Sequence, residues 1–214
     1  MVAIITGDII ASRKLENQEI WLTPLKKLLS NWGERPQNWE VMRGDLFQVE
    51  ITKPEDALFK AFQIKALIKK IKPIENRKTI STIDVRMAIG IGEKSFAGKT
   101  IQESNGTAFI YSGEKFDNLK KENVTLGIKT PWEDVDEELN LYIKLVGIFM
   151  DNWSVSSAEL VALILNNPYL TQEEAGMKIG IKQSGVSRRW NRAHIDELLE
   201  VEKMFRKKII SKAV

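Results

Sequence analysis

The chain opens on an almost unbroken apolar run, Val2-Ala3-Ile4-Ile5-Thr6-Gly7-Asp8-Ile9-Ile10, interrupted toward its end by Gly7 and one carboxylate. Such a β-branched run predicts a strand buried on both faces. Ile20, Trp21, Leu25, Leu28, Leu29 and Trp32 then fall at helical spacing until Gly33 and Pro36 close the segment. From Trp39 to Ile51 two short apolar runs flank Arg43-Gly44-Asp45, the pattern of a hairpin with Asp45 at its tip. Pro54-Glu55-Asp56 supplies a proline and an acidic first turn, and the stripe from Ala57 to Ile71 predicts a long helix ending before Pro73. Ile83 to Gly92 alternates apolar with polar or small residues and reads as a strand. A loop through Asn105-Gly106, a helix over about Thr107 to Lys121 and a strand from Val124 to Ile128 complete this part. The order β-α-β-β-α-β-α-β predicts an α+β fold of ferredoxin-like or palm type, its helices packed on one face of the sheet.

Past Ile128 the pattern changes. Lys129-Thr130-Pro131-Trp132 and the acidic run from Glu133 to Glu138 mark a boundary, and everything beyond has helical periodicity. The expected division is a palm-like domain over 1–130, a linker over 131–138 and an all-α domain over 139–214. Leu139, Leu141, Tyr142, Leu145, Val146 and Phe149 mark one helix, and Ser156 or Ser157 caps a second that runs to Asn167-Pro168. The segment from Thr171 to Trp190 carries the strongest local motif. Thr171 with Glu174 is a capping box, Gly176 is the small residue where two helices meet, and Gly180 makes the left-handed turn between them. Gln183-Ser184 opens the second helix, which is the spacing of a helix-turn-helix. On it, Lys182, Gln183, Ser184, Ser187 and Arg188 are placed to meet DNA, Gln and Arg as forks for base edges and Lys and Ser as phosphate contacts. The plainer alternative is a three-helix bundle or a protein-binding hairpin, with Trp190 in its core and His194 on the same helix as a solvated or phosphate-facing side chain. The apolar side of the tail helix, from Ile195 to Ile209, could pack back on the bundle or form a dimer seam, and paired half-sites favour the dimer.

Composition narrows the chemistry. Of 214 residues none is cysteine and only one is histidine, which excludes disulfides, thiolate metal sites and multi-histidine sites. The net charge of +3 permits an anionic partner without demanding one, but from Thr171 onward ten Lys or Arg stand against six Asp or Glu. No apolar run reaches the length of a membrane span, and the start lacks the pattern of a signal peptide, so a cytoplasmic protein is expected. Gly98-Lys99-Thr100 imitates a phosphate-binding loop but has Glu93 where the first glycine belongs, so Lys94 and Lys99 are expected on an exposed loop.

If the hairpin pairs beside the first strand, Asp8 and Asp45 converge on one small volume. Like charges that close need a cation or donors between them. Each also has an ordinary use, Asp8 as a cap of the turn after a strand and Asp45 as a partner of Arg43 or an exposed hairpin tip. Arg13 and Arg43, with Gly44 between Arg43 and Asp45, are candidate nucleotide contacts.

The strand ending in Asp8, the Gly44-Asp45 hairpin, the long helix and Met87-Ala88-Ile89-Gly90-Ile91-Gly92 resemble the palm domains of GGDEF and class III nucleotidyl cyclase proteins. That resemblance implies that Asp8, Asp45 and the carbonyl of Ile9 would hold Mg²⁺ on a nucleotide, a cation that accepts one or two carboxylates and leaves the rest to phosphates. The hairpin reads Arg43-Gly44-Asp45-Leu46-Phe47, and Gly106 to Lys115 lacks the Asn and Arg with which cyclases handle ribose and transition-state charge, so the resemblance implies binding without turnover. Taken with the helix-turn-helix, the segments Ile4 to Arg13 and Arg43 to Gln48 resemble the SatD family of bacterial proteins over nearly the whole chain. The expectation is a DNA-binding transcriptional regulator with a nucleotide-sensing, Mg²⁺-dependent palm. The alternative is a nucleotidyltransferase or cyclase carried to DNA by its helical part.

Overall fold

The computed structural model describes residues 1–12, 15, 17–42, 44–72 and 83–212. It is a five-stranded mixed sheet with eight helices among the described residues. Strand β1 (Val2–Ile10) leads to helix α1 (Glu19–Leu29), then to β2 (Trp39–Val41) and β3 (Leu46–Ile51). A short 3-10 turn over Pro54–Asp56 precedes α2 (Ala57–Lys69), followed by β4 (Asp84–Gly92), α3 (Thr107–Glu122) and β5 (Leu126–Lys129). The β-α-β-β-α-β-α-β order read from the pattern is therefore present. The sheet runs β2-β3-β1-β4-β5, with β1 antiparallel to both β3 and β4 and only β5 parallel to its neighbour.

The helices do not all lie on one face, and small residues are the reason. Ala3, Ile5 and Ile9 of β1 share one face with Phe47, Val49, Val85, Met87 and Ile89, and this face joins Trp21, Leu25, Ala61 and Phe62 of α1 and α2 in the main core. Helix α3 lies on the opposite face, where Ser112 Oγ donates to Thr6 Oγ1 at 2.7 Å. Its backbone rests almost directly on β4: a Cβ on Gly90 would stand 2.2 Å from the carbonyl oxygen of Ala108, and one on Gly92 2.4 Å from Thr107 Oγ1. The small positions of the alternating Ile83 to Gly92 run are the seat of a helix. As the crossover between parallel β4 and β5, α3 covers that half of the face and leaves Asp8, Gln48 and Glu50 at its margin.

Every element from Glu133 on is a helix: α4 (Glu133–Met150), α5 (Val155–Asn166), α6 (Gln172–Ile179), α7 (Gln183–Ala193) and α8 (Ile195–Lys212). The acidic run expected as a linker is largely the opening of α4. Glu133, Asp134 and Asp136 occupy its first turn, where the positive end of the helix dipole favours carboxylates, and Val135 is already buried. Asn140 of α4 closes the free edge of β5, its side-chain amide accepting from Ile128 N and donating to Ile128 O at 2.9 Å each. One apolar cluster runs from Ala3 to Ile209, so sheet and helices share an interior.

A buried ion network crosses the same boundary. Lys65 Nζ lies 2.7 Å from Asp84 Oδ1 and 2.6 Å from Asp151 Oδ1, and Lys69 Nζ lies 3.3 Å from Asp84 Oδ2. Lys69 also donates to the carbonyl of Asp151, the residue capping the C-terminus of α4, at 2.5 Å. Both lysines sit on α2, among the residues of its apolar stripe, and are almost wholly buried.

Smaller departures have local causes. Helix α5 is capped by Ser154, not Ser156 or Ser157, with Ser157 N donating to Ser154 Oγ at 3.2 Å. Lys94, expected exposed, is half-buried and pairs with Glu50 at 2.6 Å, whereas Lys99 is exposed. Leu141 and Leu145 turn outward, and with Ile148 they form an exposed stripe on α4. None of the described helices is long and apolar enough to cross a membrane.

Candidate functional site

Two places carry the residues singled out by sequence, and they differ in construction. The first is the α6–turn–α7 unit. Thr171 and Glu174 form the expected capping box, with Glu174 N donating to Thr171 Oγ1 at 3.2 Å and Thr171 N to Glu174 Oε2 at 2.8 Å. These bonds hold the Glu174 carboxyl below the ordinary carboxylate range, the backbone N–H of Thr171 contributing most. Gly180 has φ +69°, the left-handed value the turn requires. Gly176 is needed for proximity: a Cβ there would lie 2.6 Å from the carbonyl oxygen of Ile181. Ala175 and Val186 are buried between the two helices.

The turn leaves one side of α7 outward. Lys182, Gln183, Ser184 and Arg188 are exposed and Ser187 is half-buried. Among the described residues Arg188 has only a backbone hydrogen bond, Nε to Ser184 O at 3.3 Å. Arg189 is less exposed and pairs with Glu159 at 3.1 Å, which ties α7 to α5. A shallow concavity is lined by Lys182, Ser184, Gly185, Arg188, Arg189 and Arg192. Arg192 was missing from the sequence expectation, although it lies four residues beyond Arg188 and hence on the same helical face. Trp190, expected in the core, is half-buried against it. His194 does not continue α7: it takes φ +54° and separates α7 from α8, with its ring stacked on Phe149 at 4.8 Å. The apolar side of α8 is spent inward, with Leu198, Phe205 and Ile209 buried.

The second place is a hollow at the end of β1. Asp8, Ile9, Ile10, Ala11, Ser12, Asp45 and Arg86 line it together, so the two aspartates do come to one opening. The register explains this: Asp8 lies opposite Leu46 on one side and Arg86 on the other, and Ile9 N donates to Asp45 O at 3.2 Å. After β1 the chain turns through Ala11 at φ +64°, a strained value for a residue with a Cβ. That turn sets the Ser12 hydroxyl to donate to Asp45 Oδ2. Gly44 takes φ +91° in the hairpin. Arg13 and Arg43 lie outside the described residues.

Arg86, which the sequence reading passed over, ion-pairs with Asp8 Oδ2 and lies 5.6 Å from the centre of the Phe116 ring. An arginine between the apolar Val85 and Met87 of a strand was the available signal. Among the described residues, Asp8 Oδ1 and Arg86 Nε are buried without a hydrogen-bond partner. Such atoms cost about 1–3 kcal/mol each when nothing meets them. Among the described residues no group of three or more His, Cys, Asp or Glu could hold a metal by itself. The donor set here is two carboxylates, one already neutralised by Arg86. It fits Mg²⁺ only where phosphates supply most of the ligands.

No protein-family model matches this chain, and no curated protein matches it.

Proposed function

We propose that the chain is a DNA-binding regulator of transcription with a sheet that binds a nucleotide or nucleotide-derived ligand, and that it is a relative of the SatD family. The observation that carries the DNA half is the outward side of α7 behind the Gly180 turn, where Lys182, Gln183, Ser184 and Arg188 stand free of side-chain ion pairs among the described residues while Arg189 is tied inward. Basic and fork-bearing side chains at the start of the second helix suit a major groove, with base edges met by Gln183 and Arg188 and phosphates by Lys182, Ser184 and Ser187. The test is fluorescence anisotropy on genomic duplexes across a salt series. Binding that weakens steeply with salt, and less steeply in Arg188→Ala, supports the reading. Binding indifferent to both salt and substitution sinks it.

For the sheet we read a palm of ferredoxin-like topology. The meeting of Asp8 and Asp45 at one opening supports a ligand site in its hollow. There Asp8 and Asp45, with the carbonyl of Ile9, would take a Mg²⁺ that arrives with phosphates, and Arg86 would meet the phosphates themselves. When bound, the metal would neutralise the carboxylates against the anionic ligand. Ligand entry would break the Arg86–Asp8 pair and so act on β1 and β4, the strands that anchor the shared interior. The enzyme alternative, a nucleotidyltransferase or cyclase, is favoured by the same two carboxylates, and metal-dependent pyrophosphate release lost in Asp45→Ala would establish it. Pairing of two copies belongs to the regulator reading. With Leu198, Phe205 and Ile209 of α8 packed inward, the exposed Leu141, Leu145 and Ile148 stripe on α4 is an apolar surface available for it.

A further inference from the structure

Gln172 and Gln183 are each the first residue of a helix, α6 and α7, and Gln183 Nε2 donates to Gln172 Oε1 at 2.8 Å. Neither side chain is in the core: Gln183 is exposed and Gln172 half-buried. The bond exists because Gly176 and Gly180 let the two helix starts meet, and it joins the residue best placed to enter a groove to its neighbour in the helix before.

The chemistry of that bond has a direction. A primary amide offers one oxygen acceptor and two N–H donors. Gln172 takes one N–H of Gln183, which leaves Gln183 with Oε1 and a second N–H, and it fixes which edge of the amide carries the oxygen. A side chain that otherwise samples many rotamers is thereby held before any ligand arrives. The remaining oxygen and N–H form a donor–acceptor fork, and in the major groove adenine alone presents its complement on one base, the N6 amino donor beside the N7 acceptor. Guanine presents two acceptors, cytosine a donor, and thymine an acceptor with a methyl group. Gln172, meanwhile, spends only its oxygen on Gln183 and keeps both N–H donors, suited to a phosphate oxygen.

We infer that Gln183 reads an adenine in the major groove and that Gln172 is its positioning residue, bridging that contact to the DNA backbone. The inference rests on the proposed DNA binding and adds to it the base read and the residue that orients the reader.

The experiment is selection from random-sequence duplexes by the full chain and its Gln183→Ala, Gln172→Ala and Gln172→Glu variants, followed by affinity measurements on the selected site with adenine or 7-deazaadenine. The wild type selects adenine at one fixed position of the site, and 7-deazaadenine there weakens binding. Gln183→Ala still binds but loses that preference, by a factor between about 5 and about 150. Gln172→Ala blunts the preference, whereas Gln172→Glu keeps the acceptor and hence the preference while weakening binding overall through repulsion of phosphate. A wild type with no adenine preference, or a Gln183→Ala variant with unchanged base preferences, overturns the inference and leaves DNA binding standing. A wild type that binds no duplex at low salt overturns both.

Discussion

Arg86 and Arg188 carry the same charge on two regular elements and are held in opposite ways. Arg86 on β4 is closed onto Asp8 and lies beside the Phe116 ring, whereas Arg188 on α7 is exposed and, among the described residues, bonds only a backbone carbonyl. The hollow satisfies most of its own charge internally and, among the described residues, leaves two buried atoms without partners, while α7 leaves its outward charges to solvent. A ligand at the hollow must compete with an existing ion pair, so a phosphate-bearing ligand with its own cation suits it. A polyanion at α7 displaces only water and counterions, so its affinity should follow salt.

The largest expected effect comes from cutting the network that ties β4, the strand of Arg86, to the end of α4. Asp84→Ala removes a carboxylate shared by Lys65 and Lys69 and should cost about 3–5 kcal/mol in urea unfolding. Fluorescence and circular dichroism should report a single shifted transition. A loss below about 1 kcal/mol would mean the lysines do not depend on that partner. Next in size is ligand stabilisation of the hollow. ATP or GTP with Mg²⁺ at about a hundred times its dissociation constant should stabilise the fold by about 2.7 kcal/mol, seen as a thermal shift absent from the Asp8→Ala/Asp45→Ala double variant. An equal shift in that variant would place any nucleotide elsewhere.

The two neighbouring arginines of α7 sharpen the contrast at smaller cost. Arg188→Ala should leave stability within about 0.5 kcal/mol of wild type and lower the salt slope of DNA binding by about one. Arg189→Ala, which loses the tie to Glu159, should cost up to about 1 kcal/mol of stability, a modest figure because both groups are partly solvated. If the two variants exchanged these phenotypes, the outward side of α7 would be wrongly identified. The smallest effect concerns pH. The Glu174 carboxyl is held low by the Thr171 bonds, so its contribution to α6 is present at neutral pH and is lost as pH falls through its depressed pKa. Comparing wild type with the non-titrating Glu174→Gln from about pH 6 to about pH 3 should show acid sensitivity in the wild type that the variant lacks.

Much of this was legible in the chain because it is local. The capping box at Thr171 and Glu174, the left-handed Gly180 and the exposed start of α7 depend on residues within one or two helical turns, and each appears as expected. The approach of Asp8 to Asp45 was also legible, because hairpin pairing and strand alternation impose it. His194 was not: a left-handed residue without glycine leaves no mark in periodicity, so the break between α7 and α8 stayed hidden.

By itself, then, the sequence determined the order of strands and helices through β5 and the α6–turn–α7 unit, since hydrophobic period and turn chemistry act between near neighbours. Only the tertiary structure decided that α3 lies on the opposite face of the sheet and that the acidic run opens a helix. It also decided that Lys65 meets Asp84 and Asp151, and that Arg86, distant from Asp8 in the chain, closes the hollow. Those outcomes depend on which distant surfaces bury one another and which charges must then find partners away from water. Periodicity gives the apolar spacing of a face but not the surface that will cover it.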